Sequence, residues 1–250
     1  MLPRLYAIVD AGPFAREPDP TAALLTFTRE LLAGGATLIQ YRNKQGSARQ
    51  MLAEARELRR IVCAAGPRPE ETSGPAHARA PQRPPGRATR DERSAVFLIM
   101  NDRVDLAIAA GFDGVHLGQD DLSPEAARRI LAAAQGQQTA QSPDSATLQK
   151  PLWMGVSTHS AEQVAAADQT SADYIAVGPV FATASKASAD AVIGLAGVRA
   201  ARRATAKPLV AIGGITRANF RSVLDAGADS VAVISDLLLE PRAAAQEFQS

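Results

Sequence analysis

Gln40, Arg42 and Lys44 stand at i, i+2 and i+4 in the stretch IQYRNK. Alternate residues of an extended strand share a side, so an amide and two cations project into one space while Ile39 and Tyr41 face the opposite layer. That convergence suits an anion, although charged groups at a strand end are also ordinary solvated surface. A second stretch, NDRVDLAIAAGFDGVHLGQDD from Asn101 to Asp121, puts Asp102 after one apolar run and Asp120 and Asp121 after the next. Carboxylates brought close repel one another unless a proton or cation compensates. A hard divalent ion such as Mg2+, shared with substrate phosphate oxygens, would do so. Taken alone, Asp102 reads first as an N-terminal cap for the helix expected to follow it.

Two further groups point to phosphate. GPVFATASK, Gly178 to Lys186, gathers the hydroxyls of Thr183 and Ser185 and the Lys186 amine in a loop of small residues, which suits either a phosphate or a simple turn. AIGGI and VISDLL each end an apolar run, and glycine there lets an anion approach backbone N–H groups closely.

Something must bring these groups together. Short β-like runs, LYAIVD, TLIQYR, AVFLIMN, GVHLG, LWMGVS, YIAVGPV, PLVAIGG and SVAVIS, alternate with alanine-rich amphipathic runs near residues 20–34, 47–65, 103–111, 123–134, 160–170, 194–205, 217–228 and 241–249. About eight strand-plus-helix units predict a parallel (β/α)8 TIM barrel, an α/β fold whose chemistry collects at the strand C-termini. A doubly wound open sheet is the competing architecture, but the first turn, VDAGPFAREPDP, lacks GxGxxG. On the barrel assignment Asp102 and Asp121 leave the third and fourth strands, neighbours on one rim.

The 250 residues are 46% hydrophobic and 21% charged, which suits a single domain over residues 1–250 with a sizeable core. Gly66 to Arg93 is rich in proline, glycine and arginine, and Gly136 to Pro151 is polar and aperiodic, so both are expected to be flexible insertions on the face away from the chemistry. The arginines of the first read as solvated loop, and His77 within it receives no role. A formal charge of +1 gives no reason to expect nucleic acid or a membrane as partner. The single Cys63, the lack of a membrane-length apolar run and the lack of a signal-like start make the cytoplasm the expected compartment. Homo-oligomerisation is left open.

In the order QYRNK, NDRVDLAIAAGFDGVHLGQDD, GVSTHS, GPVFATASK, AIGGI and VISDLL, the chain resembles the thiamine-phosphate synthase family over nearly its whole length apart from the two insertions. The resemblance implies a transferase of thiamine biosynthesis. It would join 4-amino-2-methyl-5-pyrimidinylmethyl diphosphate to 4-methyl-5-(2-phosphoethyl)thiazole, releasing pyrophosphate and giving thiamine phosphate. It further implies that Gln40, Arg42, Lys44 and Asn101 surround the pyrimidine diphosphate and that Asp102 and Asp121 bind Mg2+. Ser157 and Lys186 would make later contacts with the pyrimidine and diphosphate, so that Arg42, Lys44, Ser157 and Lys186 form the catalytic set. Thr183, Ser185, Gly214, Ile234 and Ser235 resemble the cradle of the thiazole phosphate. Ser185 stands where the family often has threonine, which keeps the hydroxyl and drops a methyl. Asp121 rather than Asp120 matches the ligand, being last in GQDD.

The implied chemistry needs no protein nucleophile. Magnesium and the cations would take up charge on departing pyrophosphate while the aminopyrimidine stabilises a methylene cation that the thiazole nitrogen attacks. His116, of opposite parity to Leu117, reads as a packed strand residue, Trp153 as packing, and His159 as a rim residue whose direct role is open. Two rival readings remain at this point. One is a thiazole tautomerase-like isomerase, against which the Asp102, Asp121, Arg42 and Lys44 set speaks. The other is a non-catalytic barrel that binds thiamine phosphates.

Overall fold

Short β-branched runs that are buried along their whole length belong to strands covered on both faces, and helices must then supply one of the covers. The computed structural model describes residues 2–64, 96–141, 152–183 and 191–250, and the side chains of 135–141 fall outside the description. Ser185, Lys186, His77 and the insertion at 66–93 therefore lie outside the described residues.

Strands β1 (Leu5–Asp10), β2 (Leu38–Arg42), β3 (Phe97–Asn101), β4 (Gly114–Leu117), β5 (Trp153–Thr158), β6 (Tyr174–Val177), β7 (Leu209–Ile212) and β8 (Ser230–Val233) close in sequence order into one barrel. Every neighbouring pair is parallel, β8 returning to β1. The intervening helices are α1 (Pro20–Ala33), α2 (Ala48–Ala64), α3 (Val104–Ala110), α4 (Pro124–Gln141), α5 (Ala161–Asp168), α6 (Gly194–Ala204) and α7 (Phe220–Asp225), with α8 (Pro241–Gln249) at the end. The (β/α)8 expectation is borne out, and the open sheet is not.

Local signals account for several boundaries. Asp19 accepts from the Ala22 N–H at 2.9 Å and Pro20 takes the first helical position, so α1 starts there. Ser160 caps α5 in the same way through the Gln163 N–H at 3.3 Å. One boundary differs from expectation. Helix α4 runs on to Gln141, into the segment expected to be an aperiodic insertion from Gly136, because alanine, glutamine and threonine sustain a helix that one glycine only weakens.

Strand parity divides the core in two. Val9, Ile39, Tyr41, Met100, Val115, Leu117 and Val156 pack outward into the layer shared with the helices. Tyr6, Ile8, Leu38, Ile99, Tyr174, Ala176 and Val210 fill the inside of the barrel, with Phe97 and Trp153 stacked beside them at a centroid distance of 5.5 Å.

A repeated device braces the N-terminal face. The residue just before β4, β6 and β8 is aspartate each time: Asp113, Asp173 and Asp229. Each accepts from the backbone N–H of the preceding strand, at Leu98 (2.9 Å), Met154 (2.7 Å) and Leu209 (2.8 Å). Each also pairs at 2.8 Å with an arginine from the helix before that strand: Arg59, Arg128 and Arg202. At the corresponding place before β2 stands Thr37. These clamps lie at the barrel floor and leave the opposite rim open for chemistry.

Candidate active site

At the rim end of β2, Gln40 is buried and its Nε2 donates to the Tyr6 hydroxyl at 2.8 Å. Two residues on, Arg42 pairs with Asp10, its register partner at the end of β1, and Asp10 also accepts from the Gly12 N–H at 3.0 Å. The guanidinium is thus held at the rim before any ligand arrives. Tyr41, of opposite parity, turns to α2 and donates to Glu54. That buried carboxylate also takes hydrogen bonds from Gln50 Nε2 at 2.9 Å, Asn43 Nδ2 at 3.2 Å and Thr21 Oγ1 at 3.2 Å. Asn43 Oδ1 accepts in turn from the N–H groups of Gln45 (3.1 Å) and Gly46 (2.7 Å), an Asx-type turn that shapes the loop carrying Lys44.

Lys44 reaches from this loop to Asp102, with Nζ 2.5 Å from Oδ2. Asp102 does not cap α3. The cap position belongs to Arg103, which makes no side-chain cap bond, while Asp102 itself sits at φ 62° with its N–H on the His116 carbonyl at 2.8 Å. This left-handed backbone turns the carboxylate away from the helix and over the rim. There it comes within hydrogen-bonding reach of Asp121, whose own Oδ2 accepts from the Gly118 N–H at 2.7 Å. Burial raises the Asp121 pKa above its ordinary value. The Gly118 N–H opposes that rise, the Asp102 carboxylate adds to it, and Lys44 counteracts it more weakly.

The opposite rim is built from backbone. Gly213 and Gly214 follow β7 at φ 101° and 64°, and a Cβ on Gly214 would stand 2.5 Å from the Ala182 carbonyl oxygen. Only glycine fits there. The Phe181 N–H donates to the Gly213 carbonyl at 3.0 Å, joining the loops after β6 and β7, and Asn219 Nδ2 fixes the Gly214 carbonyl at 3.1 Å. After β8, Ile234 leads into a 3-10 turn that opens at Ser235.

Both rims face one cavity of about 760 Å3. Its lining takes in Gln40, Arg42, Lys44, Asn101, Asp102, Asp121, Ser157, Thr183, Gly214, Ile234 and Ser235, so each candidate among the described residues comes to the same space. The metal question turns on the donors available. Among the described residues no group of three or more His, Cys, Asp or Glu side chains is placed to hold an ion. Two adjacent carboxylates do not make an all-protein cage, but they fit Mg2+, which commonly takes one or two carboxylates and completes its octahedron with water and substrate phosphate.

A family model described as "Thiamine monophosphate synthase" matches residues 5–67, 87–135 and 135–237. The chain belongs to the thiamine monophosphate synthase family. Among its relatives, a thiamine-phosphate synthase of Koribacter versatilis is 52% identical over 248 residues, covering 99% of this chain and 94% of that one. One of Chloroflexus aurantiacus is 38% identical over 232 residues, covering 93% and 83%. A solved thiamine phosphate pyrophosphorylase from Pyrococcus furiosus superposes with a TM-score of 0.70 at 30% identity, covering 98% of this chain and 93% of that one.

In this member of the thiamine monophosphate synthase family the cavity floor is more polar than the sequence suggested. His116 is buried, as expected of a strand residue, but it faces into the barrel and bonds Tyr174 Oη at 3.1 Å and Ser157 Oγ at 2.9 Å. Burial lowers its pKa to about 4 against the raising effect of Asp102, so the imidazole is neutral. Tyr6, Tyr174, Asp10 and Glu54 escaped notice in the sequence. For His116 a signal existed: with Val115 and Leu117 facing out, its parity put it inside. Tyr6 and Tyr174 join residues 168 apart and carry no local signal. His159 lines the cavity and donates through Nδ1 to the Gly178 carbonyl at 2.7 Å, which fixes its ring at the rim. Among the described residues no helix is long and apolar enough to cross a membrane.

Proposed function

We propose that this barrel is a thiamine-phosphate synthase. It joins 4-amino-2-methyl-5-pyrimidinylmethyl diphosphate to 4-methyl-5-(2-phosphoethyl)thiazole, releasing pyrophosphate and giving thiamine phosphate. The observation that carries this reading is one cavity with two unlike walls, each suited to an anion: Arg42, Lys44 and the Asp102–Asp121 pair on one side, the Gly213–Gly214 turn and Ser235 on the other. A thiazole tautomerase would have no use for the first wall.

Arg42, held by Asp10, and Lys44 engage the diphosphate, with Asn101 beside them. The C–O bond to the diphosphate breaks, its electron pair leaves with pyrophosphate, and the resulting methylene cation is stabilised by the electron-rich aminopyrimidine ring. Gln40 and Ser157 orient that ring from the cavity floor. Mg2+ held by Asp102 and Asp121 together with diphosphate oxygens would supply charge stabilisation to the leaving group. Thr183, Gly214, Ile234 and Ser235 hold the thiazole phosphate, glycine letting it reach backbone N–H groups, so that the thiazole nitrogen meets the methylene carbon near the barrel axis. Ser185 and Lys186, outside the described residues, complete the proposed set.

The test is turnover of both substrates with and without Mg2+, following thiamine phosphate and pyrophosphate together. Equimolar formation of the two supports the reading. Binding of both substrates with no product in the presence of Mg2+ would make the chain a non-catalytic binder instead.

A further inference from the structure

Four hydrogen bonds cross the inside of the barrel beneath the cavity. Gln40 Nε2 donates to Tyr6 Oη at 2.8 Å, Tyr6 Oη meets Tyr174 Oη at 2.8 Å, Tyr174 Oη meets His116 Nδ1 at 3.1 Å, and His116 Nε2 meets Ser157 Oγ at 2.9 Å. The members come from β2, β1, β6, β4 and β5 in turn. The first four are buried, and Ser157, half-buried, lines the cavity.

The chain is built rather than incidental. A Cβ at Gly155, on the strand beside Tyr174, would fall on the phenol ring, so the glycine in WMGVS is what lets Tyr174 lie across the barrel. Tyr6 and Tyr174 meet edge-on at 6.0 Å between centroids, and the His116 ring lies 5.6 Å from that of Tyr174. No buried side-chain nitrogen or oxygen among the described residues is left without a partner.

Its polarity follows from one end. An amide N–H can only donate, so Tyr6 oxygen accepts from Gln40 and sends its own proton to Tyr174. Tyr174, accepting there, sends its proton to His116 Nδ1. The single proton of a neutral imidazole then sits on Nε2 and is donated to Ser157 Oγ. A hydroxyl that accepts from histidine has its one proton left for the cavity. The opposite polarity, with Gln40 still donating, would strand the Tyr6 O–H proton in a buried site without an acceptor, which leaves its desolvation unrepaid.

We propose that Gln40, Tyr6, Tyr174 and His116 form a one-way hydrogen-bond chain that fixes the Ser157 hydroxyl as a donor into the cavity. Tyr6, Tyr174 and His116 are thereby positioning residues, selecting the tautomer that presents a protonated Nε2 to Ser157. This rests on the reading of Ser157 as a contact to the pyrimidine substrate.

Two measurements test it. Nitrogen-15 NMR of the His116 ring in the wild-type protein should find the proton on Nε2, and Tyr174→Phe, which keeps the ring and removes the link, should weaken that preference. In kinetics, Tyr174→Phe should lower kcat/KM for the pyrimidine diphosphate about tenfold, the scale of one oriented hydrogen bond, with KM for the thiazole phosphate unchanged. In a Ser157→Ala background the same substitution should have no further effect beyond about twofold, because a residue that acts only through Ser157 has nothing left to orient. Tyr6→Phe gives the same reading should Tyr174→Phe fail to fold. A wild-type His116 proton on Nδ1, or a full additive loss in the double variant, would overturn the chain. Unchanged kinetics in Ser157→Ala would instead overturn the pyrimidine-contact reading, while the tautomer measurement still decides the chain itself.

Discussion

Lys44 Nζ stands 2.5 Å from Asp102 Oδ2, so the amine proposed to bind diphosphate neutralises one of the proposed metal ligands. On the proposed reading the two would exchange partners when substrate and metal enter, Asp102 turning to the cation and Lys44 to the diphosphate. The partner that reaches Asp102 comes from 58 residues earlier in the chain.

Among the described residues Asp102 is the one non-glycine residue with positive φ. Asp102→Gly removes the carboxylate while suiting the left-handed backbone, so stability should stay within about 1 kcal/mol of wild type. Metal-dependent turnover should fall by about a hundredfold or more, since a charge-stabilising ligand is lost. Thermal melts beside activity assays check this, and a stable variant with full activity would remove Asp102 from the metal site.

Asp121 has a pKa raised by burial, with Asp102 adding to it, so the folded, metal-free protein holds this proton more tightly than the unfolded chain does. The sign is that of a raised folded pKa: the contribution to stability is present below the unfolded pKa and is lost as pH rises through the folded one. Asp121→Asn should therefore raise the melting temperature at neutral pH in the presence of chelator, with a gain that shrinks as pH falls into the carboxylate range. A gain that grew on acidification would contradict the close carboxylate pair.

The two walls of the cavity should separate kinetically. Arg42→Gln, which keeps a donor for Asp10, should raise KM for the pyrimidine diphosphate by about ten- to a hundredfold, the worth of a charge-assisted hydrogen bond, and leave KM for the thiazole phosphate nearly unchanged. Gly214→Ala should do the reverse, because its φ of 64° and the Ala182 carbonyl 2.5 Å from the new Cβ force the turn apart. Steady-state runs varying one substrate at a time decide it, and exchanged defects would reverse the placement of the substrates.

Asp113 lies on the face away from the cavity, bonded to the Leu98 N–H and to Arg59. Asp113→Ala should cost about 1–3 kcal/mol, the range for leaving a strand N–H and an arginine without their acceptor. Neither KM should move. Urea unfolding supplies the first number, and a changed KM would mean that the floor of the barrel communicates with its mouth.

How much of this was legible in the chain depends on the range of the forces involved. Strand parity is local, so Gln40, Arg42 and Lys44 fell on one side and Tyr41 on the other, as the alternation required. The placement of Asp102 was not legible from local propensity, which favoured a helix cap; the backbone at φ 62° and a lysine from the loop after β2 set it. Tyr6 and Tyr174 carried no local signal, since only barrel closure brings their hydroxyls within 2.8 Å. The continuation of α4 to Gln141 was missed because a helix without apolar periodicity leaves no pattern to detect.

The aspartate–arginine clamps before β4, β6 and β8, with Thr37 before β2, divide the ring into quarters, three of which carry the same latch. The quarter fastened without that latch is β1–β2, which also contains the join to β8. Arg42 and Asp10 belong to that unlatched quarter, so on the proposed reading a bound substrate bridging it to the far rim would act as the missing fourth latch.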